Sequence, residues 1–376
     1  MLTPRDYRIL ENEISRIYSE VETDVIRRVC RWLTRNNGEV TDMDDWRVRK
    51  LSQTALVEVD VRQLLAGKSR EIQRSLMDAI EVPVNVSSER DERLLNALVS
   101  HVRNGTGEVL TVTASRLTEQ RLRAVMQNAR MGINLTNTNA EQASVKAFTD
   151  AVNKAYLAVV NGSDTLEDAV WKASKKLNRR GLEVATYSSG SAQTISIDSA
   201  VRRNVVTSVA QATAEQSMNV AKENGLDLVK TTEHIGARPE HFAWQGKVFS
   251  LEGKTPGYPL LSAPQESGGT GYGTAGGLCG CNCRHHFFPW VQGFEPADYG
   301  IDLSAKENKE IYDASQRQRG YERGVRSWKR TAEEAHRQGQ LEEERKAYGY
   351  VREYQSKLRS LCAQYDLPRE YAREKA

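Results

Sequence analysis

Residues 4–35 read PRDYRILENEISRIYSEVETDVIRRVCRWLTR, and their spacing predicts a long amphipathic helix. Leu10, Ile14, Ile17, Val21, Val25, Val29 and Trp32 recur at steps of three and four residues, the repeat that gathers apolar side chains on one helix face. Thr3 and Pro4 supply an N-cap and a first-turn proline, where the missing N–H would have had no partner anyway. Asn36-Asn37-Gly38 follows, a set of residues that tolerates the left-handed backbone of a helix end.

The same period extends outward from this helix. A second helix is predicted over 43–66 and a third over 69–81, with Pro83 breaking the pattern. Leu94, Leu95, Leu98 and Val99 mark a further helix before the breaker Asn104-Gly105-Thr106-Gly107. Helical spacing resumes through Leu117, Leu122 and Val125, then through Phe148, Val152, Tyr156 and Val159. Asn161-Gly162-Ser163-Asp164 reads as a turn and cap, ahead of a short helix holding Val170, Trp171 and Leu177. Ser188 to Ser191 reads as a small-residue hinge, and a long helix over about 196–224 closes at Gly225. Val201, Val205, Val209, Ala212 and the three tryptophans Trp32, Trp46 and Trp171 are assigned to the core.

The character changes at residue 226. LDLVKTTEH alternates as a strand does, and AWQGKVFS forms a second strand reached through a glycine turn. Residues 256–280 are loop, unusually long and rich in glycine for a packed domain. From 305 to 376 the chain is again helical and heavily charged. The fold class expected is therefore mainly α with a small α+β domain. An elongated helical region spans 1–225, a compact strand-containing Gly/Cys/His-rich domain 226–295, and a charged helical tail 296–376.

Composition excludes several classes. No run of 18 apolar residues exists, so no segment is expected to span a bilayer. The first 22 residues carry charges every few positions and lack the apolar stretch of a signal peptide, so cytoplasmic synthesis is expected. Five cysteines, three of them crowded at Cys279, Cys281 and Cys283, do not form a secreted disulfide framework. A net charge of +3 sets no global demand for nucleic acid, so any basic surface must be local.

The densest chemistry lies in two runs, His234-Ile-Gly-Ala-Arg-Pro-Glu-His241 and Cys279-Gly-Cys281-Asn-Cys283-Arg-His285-His286. Imidazole and thiolate are zinc ligands, and four of them close a structural tetrahedron. His241, Cys279, Cys283 and His285 are the candidate set for one structural Zn2+. The competing reading is that these residues simply pack a small domain. A Cys283–His241 nucleophile pair is conceivable, but the sequence offers no recognisable orienting group or oxyanion hole. The glycines of 268–280 match no phosphate-binding pattern. Arg238, between Ala237 and Pro239, either fixes the loop by hydrogen bonding or lies on the surface.

The runs HIGARPEHFAWQGKVF (234–249) and TGYGTAGGLCGCNCRHHFFPW (270–290) resemble the signature of the phage minor capsid protein 2 family. That family is related to the wider Mu F-like head-morphogenesis group. MLTPRDYRILENEISRIY at the N-terminus resembles the family's opening, and QRQRGYERGVRSWKR (316–330) its basic segment. The wider group carries a His–three residues–Asp-Gly motif and an Asn-Cys-Arg-Cys motif. Here these fall on His241 with Gln245-Gly246, and on Asn282-Cys283-Arg284-His285. Gln245 in place of Asp weakens a catalytic carboxylate. His285 in place of Cys is an exchange that a zinc site accepts and a disulfide does not.

The basic segment contains Arg319, Arg323, Arg326, Lys329 and Arg330. On a helix, Arg319, Arg323, Arg326 and Arg330 line one face, which is a candidate contact for packaged double-stranded DNA. The competing reading is a solvated face or one docked on acidic protein. The resemblance implies a structural minor capsid protein of a tailed phage, acting in head morphogenesis rather than as an enzyme. It implies a virion location after assembly in the host cytoplasm, several copies per particle, contact with portal or major capsid protein, and no membrane. Two rivals stand beside it. One is a virion-carried metal-dependent enzyme or toxin-like effector that depends on His234, His241 or Cys283; the other is a general DNA-binding protein.

Overall fold

The computed structural model describes residues 3–38, 40–106, 119–188, 191–296 and 300–376. Helix dominates. The first helix, α1 (Pro4–Thr34), ends at Asn36 in the left-handed conformation, φ 55°, as the Asn-Asn-Gly run predicts. Helix α2 (Met43–Leu51) is capped by Asp42, whose carboxylate accepts from the Asp44 and Asp45 N–H groups. A short break at Ser52 and Gln53 separates it from α3 (Thr54–Thr106), so the single helix expected over 43–66 is two.

Helix α3 continues through Pro83, where the sequence predicts a stop. A proline removes one backbone hydrogen bond and crowds the preceding turn, but it does not abolish burial. Ile72, Ile80, Leu95 and Leu98 are all buried, and these anchors on both sides hold the backbone helical across the proline. Helices α4 (Glu119–Val160) and α5 (Leu166–Arg180) follow. Leu117 lies outside the described residues, as does the end of the Asn104–Gly107 breaker. Thr165 caps α5 by accepting the Asp168 N–H, just after the predicted 161–164 turn.

Strands β1 (Glu183–Ser188) and β2 (Ser191–Ser196) pair antiparallel where the sequence reads as a hinge. Its small residues are compatible with a tight reversal, and the flanking register from Glu183↔Ser196 onward turns that reversal into a hairpin. Residues 189 and 190 lie outside the described set. Helix α6 (Ile197–Glu223) closes at Gly225, φ 67°, and buries Val201, Val205 and Val209 completely.

The α+β part is a three-stranded antiparallel sheet of order β4-β3-β5, with β3 (Leu228–Thr231) central. The short helix α7 (Pro239–Phe242) precedes β4 (Val248–Ser250), and the glycine loop runs from there to β5 (Phe287–Pro289). The loop folds back on itself: a Cβ on Gly277 would lie 1.9 Å from the Gly271 carbonyl oxygen, and one on Gly269 2.1 Å from that of Ala263. Glycine is needed because backbone meets backbone. Helices α8 (Ala305–Arg337) and α9 (Leu341–Tyr365) complete the chain. No helix among the described residues is long and apolar enough to cross a membrane.

The chain forms two compact units, each assembled from three segments. The first comprises Met1–Glu11, Ser75–Gly132 and Arg202–Ser315, and contains the sheet. Leu98, Val102, Phe288, Trp290 and Phe294 form a buried cluster in it, so α3 supplies the apolar face under β5. The second comprises Asn12–Arg74, Ile133–Val201 and Gln316–Ala376. A buried cluster in it gathers Ile26, Val29, Leu33, Trp46, Phe148 and Leu177.

Candidate functional site

The Cys/His region lies in the first unit. Three short elements position it: α7 with the turn that follows, the end of the glycine loop, and the chain entering β5. Pro239 at the first position of α7 starts a single helical turn, which sets His241 beside Trp244 with ring centroids 4.7 Å apart. The loop then turns sharply. Cys279 and Asn282 both adopt left-handed backbone, φ 57° and 56°, and Cys283 is thereby delivered next to His285.

His241, Cys283 and His285 are buried, and one donor atom from each lies within 4.8 Å of the other two. Cys283 Sγ is 3.7 Å from His285 Nδ1. On its other side His285 Nε2 lies 2.9 Å from Gln245 Oε1, while His241 Nε2 lies 2.8 Å from the Gly276 carbonyl oxygen. Three of the four ligands expected from the sequence are thus brought together. Cys279 is outside that group; it is buried nearby, with Sγ 3.6 Å from the His285 carbonyl oxygen.

Burial sets the protonation of the cluster. It holds the His285 imidazole well below its ordinary range, with His234, His241 and Arg238 pushing the same way. His234, whose ring lies 4.2 Å from that of His285, is lowered to about 4 by burial, against the hydrogen bond to the Ile235 carbonyl. Burial also raises the Cys283 thiol to about 11 and that of Cys279 well above its usual value.

The surroundings contain contacts that the sequence does not announce. Tyr7 is fully buried, and burial followed by the neighbouring Cys279 and Cys283 pushes its phenol well up. Arg284, between Cys283 and His285, donates to Glu11 Oε2 at 2.6 Å, and the Glu11 side chain is 4% exposed. Arg238 donates to the Cys281 carbonyl at 2.6 Å, so it fixes the loop, the first of its two expected roles. A cleft of about 670 Å³ opens beside His241, with Arg238, Glu240, Gln265, Thr274 and Tyr312 in its walls.

Residues 2–363 match the model of the family described as phage minor capsid protein 2. The chain belongs to that family. It is 28% identical over 363 residues, 93% of each chain, to a protein of Lactococcus phage LL-H named "Structural protein". It is also 41% identical over 108 residues to a "Structural protein" of Lactococcus phage mv4, a match covering 28% of this chain and 85% of that one. No solved structure matches.

In this minor capsid protein 2 chain the basic stripe of α8, in the second unit, is not a single solvent-facing row. Arg326 and Arg330 are 4% and 5% exposed. Arg330 Nη1 donates to Glu22 Oε2 at 2.6 Å, and Arg326 pairs with Asp198 at 3.3 Å and donates to the Arg373 carbonyl at 2.6 Å. Lys329 is half-buried and donates to the Glu374 carbonyl at 2.8 Å, with burial lowering its pKa. Arg319 is half-buried and Arg323 exposed. On α8 the helical spacing puts Arg319, Arg323, Arg326 and Arg330 on one side of the helix; what Arg326 and Arg330 meet there is set by carboxylates far away in sequence.

Proposed function

We propose that the protein is a non-enzymatic structural component of the phage head that binds portal or major capsid subunits during head assembly. The observation that carries this reading is the family match over residues 2–363, with the full-length relative from phage LL-H bearing a structural name. Burial supports it. Cys283 and His241 are each 2% exposed, whereas a nucleophile and its base must reach a substrate. Any contact of the basic segment with packaged DNA falls first to the exposed Arg323, since Arg326 and Arg330 are engaged with buried carboxylates and Lys329 with the Glu374 carbonyl.

The test is cross-linking mass spectrometry on purified particles. The chain is expected in virions, in several copies per particle, with cross-links to portal or major capsid peptides. Its absence from particles, with heads assembling normally when its gene is deleted, overturns the reading.

A further inference from the structure

We propose that His241, Cys283 and His285 supply three of the four ligands of one bound zinc ion, the fourth position being left to water, so that the ion ties α7 to the chain entering β5. The inference is independent of which head subunit the protein binds.

The spacing fits. With zinc–nitrogen and zinc–sulfur bonds of the usual length, a tetrahedral centre puts its N and S donors about 3.6 Å apart. Cys283 Sγ and His285 Nδ1 are 3.7 Å apart. All three donors lie within 4.8 Å of one another, a spread that small side-chain rotations close.

The outer hydrogen bonds fit as well. A ligating imidazole characteristically donates its second nitrogen to a carbonyl or carboxylate, which fixes the tautomer and aims the other lone pair at the metal. Each histidine has one ring nitrogen held against an oxygen acceptor. Gln245 Oε1 accepts at 2.9 Å from His285 Nε2, which leaves Nδ1 facing Cys283. The Gly276 carbonyl accepts at 2.8 Å from His241 Nε2, because a carbonyl oxygen has no proton to give. Gln245 is therefore a positioning residue for His285.

The donor set selects the ion. Two imidazoles and one thiolate form a borderline-soft set suited to zinc and poorly suited to calcium or magnesium, which take oxygen. Of the three ligands, His241 lines the neighbouring cleft. Binding also has a local structural consequence. Arg284 lies between two of the ligands, so fixing Cys283 and His285 fixes the backbone from which Arg284 reaches Glu11.

The test uses the full-length chain. Elemental analysis of the purified protein is expected to give one zinc per chain. After chelation, titration with cobalt(II) alone should produce the visible absorption of a tetrahedral centre and a sulfur-to-cobalt charge-transfer band. The band should saturate at one ion per chain, disappear in Cys283→Ser and persist in Cys281→Ser. Should Cys283→Ser fail to fold, Gln245→Leu keeps all three ligands and is expected to weaken cobalt binding by about 10- to 100-fold. A folded wild-type chain that takes up neither zinc nor cobalt overturns the proposal. So does an unchanged charge-transfer band in folded Cys283→Ser, or unchanged cobalt affinity in Gln245→Leu.

Discussion

The Arg330–Glu22 pair offers a direct test of whether the basic segment is interior or a nucleic-acid surface. Both side chains are nearly sealed from solvent, at 5% and 4% exposure. Arg330 also donates from Nε to the Asn178 carbonyl at 3.3 Å, and the second Glu22 oxygen accepts the Leu182 N–H at 2.9 Å. Removing one partner of such a pair leaves the other charge buried without compensation, which costs about 3–5 kcal/mol. For a unit of roughly 190 residues each kcal/mol lowers the Tm by about 2–4 °C, so Arg330→Ala should lower it by roughly 6–20 °C. Glu22→Gln should destabilise comparably, because Gln still accepts the Leu182 N–H but no longer balances the guanidinium. The double variant Arg330→Met with Glu22→Gln removes both charges and should recover a large part of the loss. Thermal melts followed by circular dichroism, alongside a duplex-DNA retention assay at several salt concentrations, provide the readout. The reasoning fails if each single variant shifts the Tm by less than about 2 °C. It fails equally if Arg330→Ala reduces salt-sensitive DNA retention while stability is unchanged.

Two further outcomes follow from the geometry. Gly277→Ala places a methyl 1.9 Å from the Gly271 oxygen, and the expected loss lies at or above the upper end of the about 1–3 kcal/mol typical of overpacking; loop proteolysis should accelerate, and unchanged proteolysis and Tm would contradict the self-crossing of the loop. Lys50, 2% exposed, donates to the Trp32 carbonyl at 3.0 Å near the end of α1, and burial followed by Arg49 and Arg35 lowers its pKa to about 8. Between that value and the ordinary 10.5 the unfolded chain binds more protons than the folded one, so stability should rise with pH across this window. Urea unfolding of wild type and Lys50→Met at pH 7.5 to 10.5 tests it, with the pH-dependent gain absent from the variant; the same gain in both would assign it to other groups.

Much of the helical architecture was legible because it is written locally. The three- and four-residue steps of α1, the Asn36 stop, the turn before α5 and the Gly225 stop are decided by residues within a turn or two. The change at residue 226 was legible for the same reason, since alternation and a glycine turn mark β3 and β4. At the site, the crowding of cysteine and histidine pointed to His241, Cys279, Cys283 and His285 before any geometry, of which the fold gathers all but Cys279 into one cluster, and the family signature lies in the same runs.

Tertiary structure decided the rest. Helix α3 passes through Pro83 because buried anchors on both sides outweigh a local breaker, which no short window can weigh. The 183–196 hairpin arises from pairing across a segment whose small residues signal only a bend. Gln245, read in the sequence as a lost carboxylate, accepts from a histidine 40 positions away. Glu11 meets Arg284 across 273 positions and Glu22 meets Arg330 across 308. The sequence by itself determined that α8 gathers its arginines on one face, because helical periodicity is a property of the backbone. Whether those arginines face water or a buried carboxylate depends on contacts between distant segments, and a charge pattern reads the same in either setting.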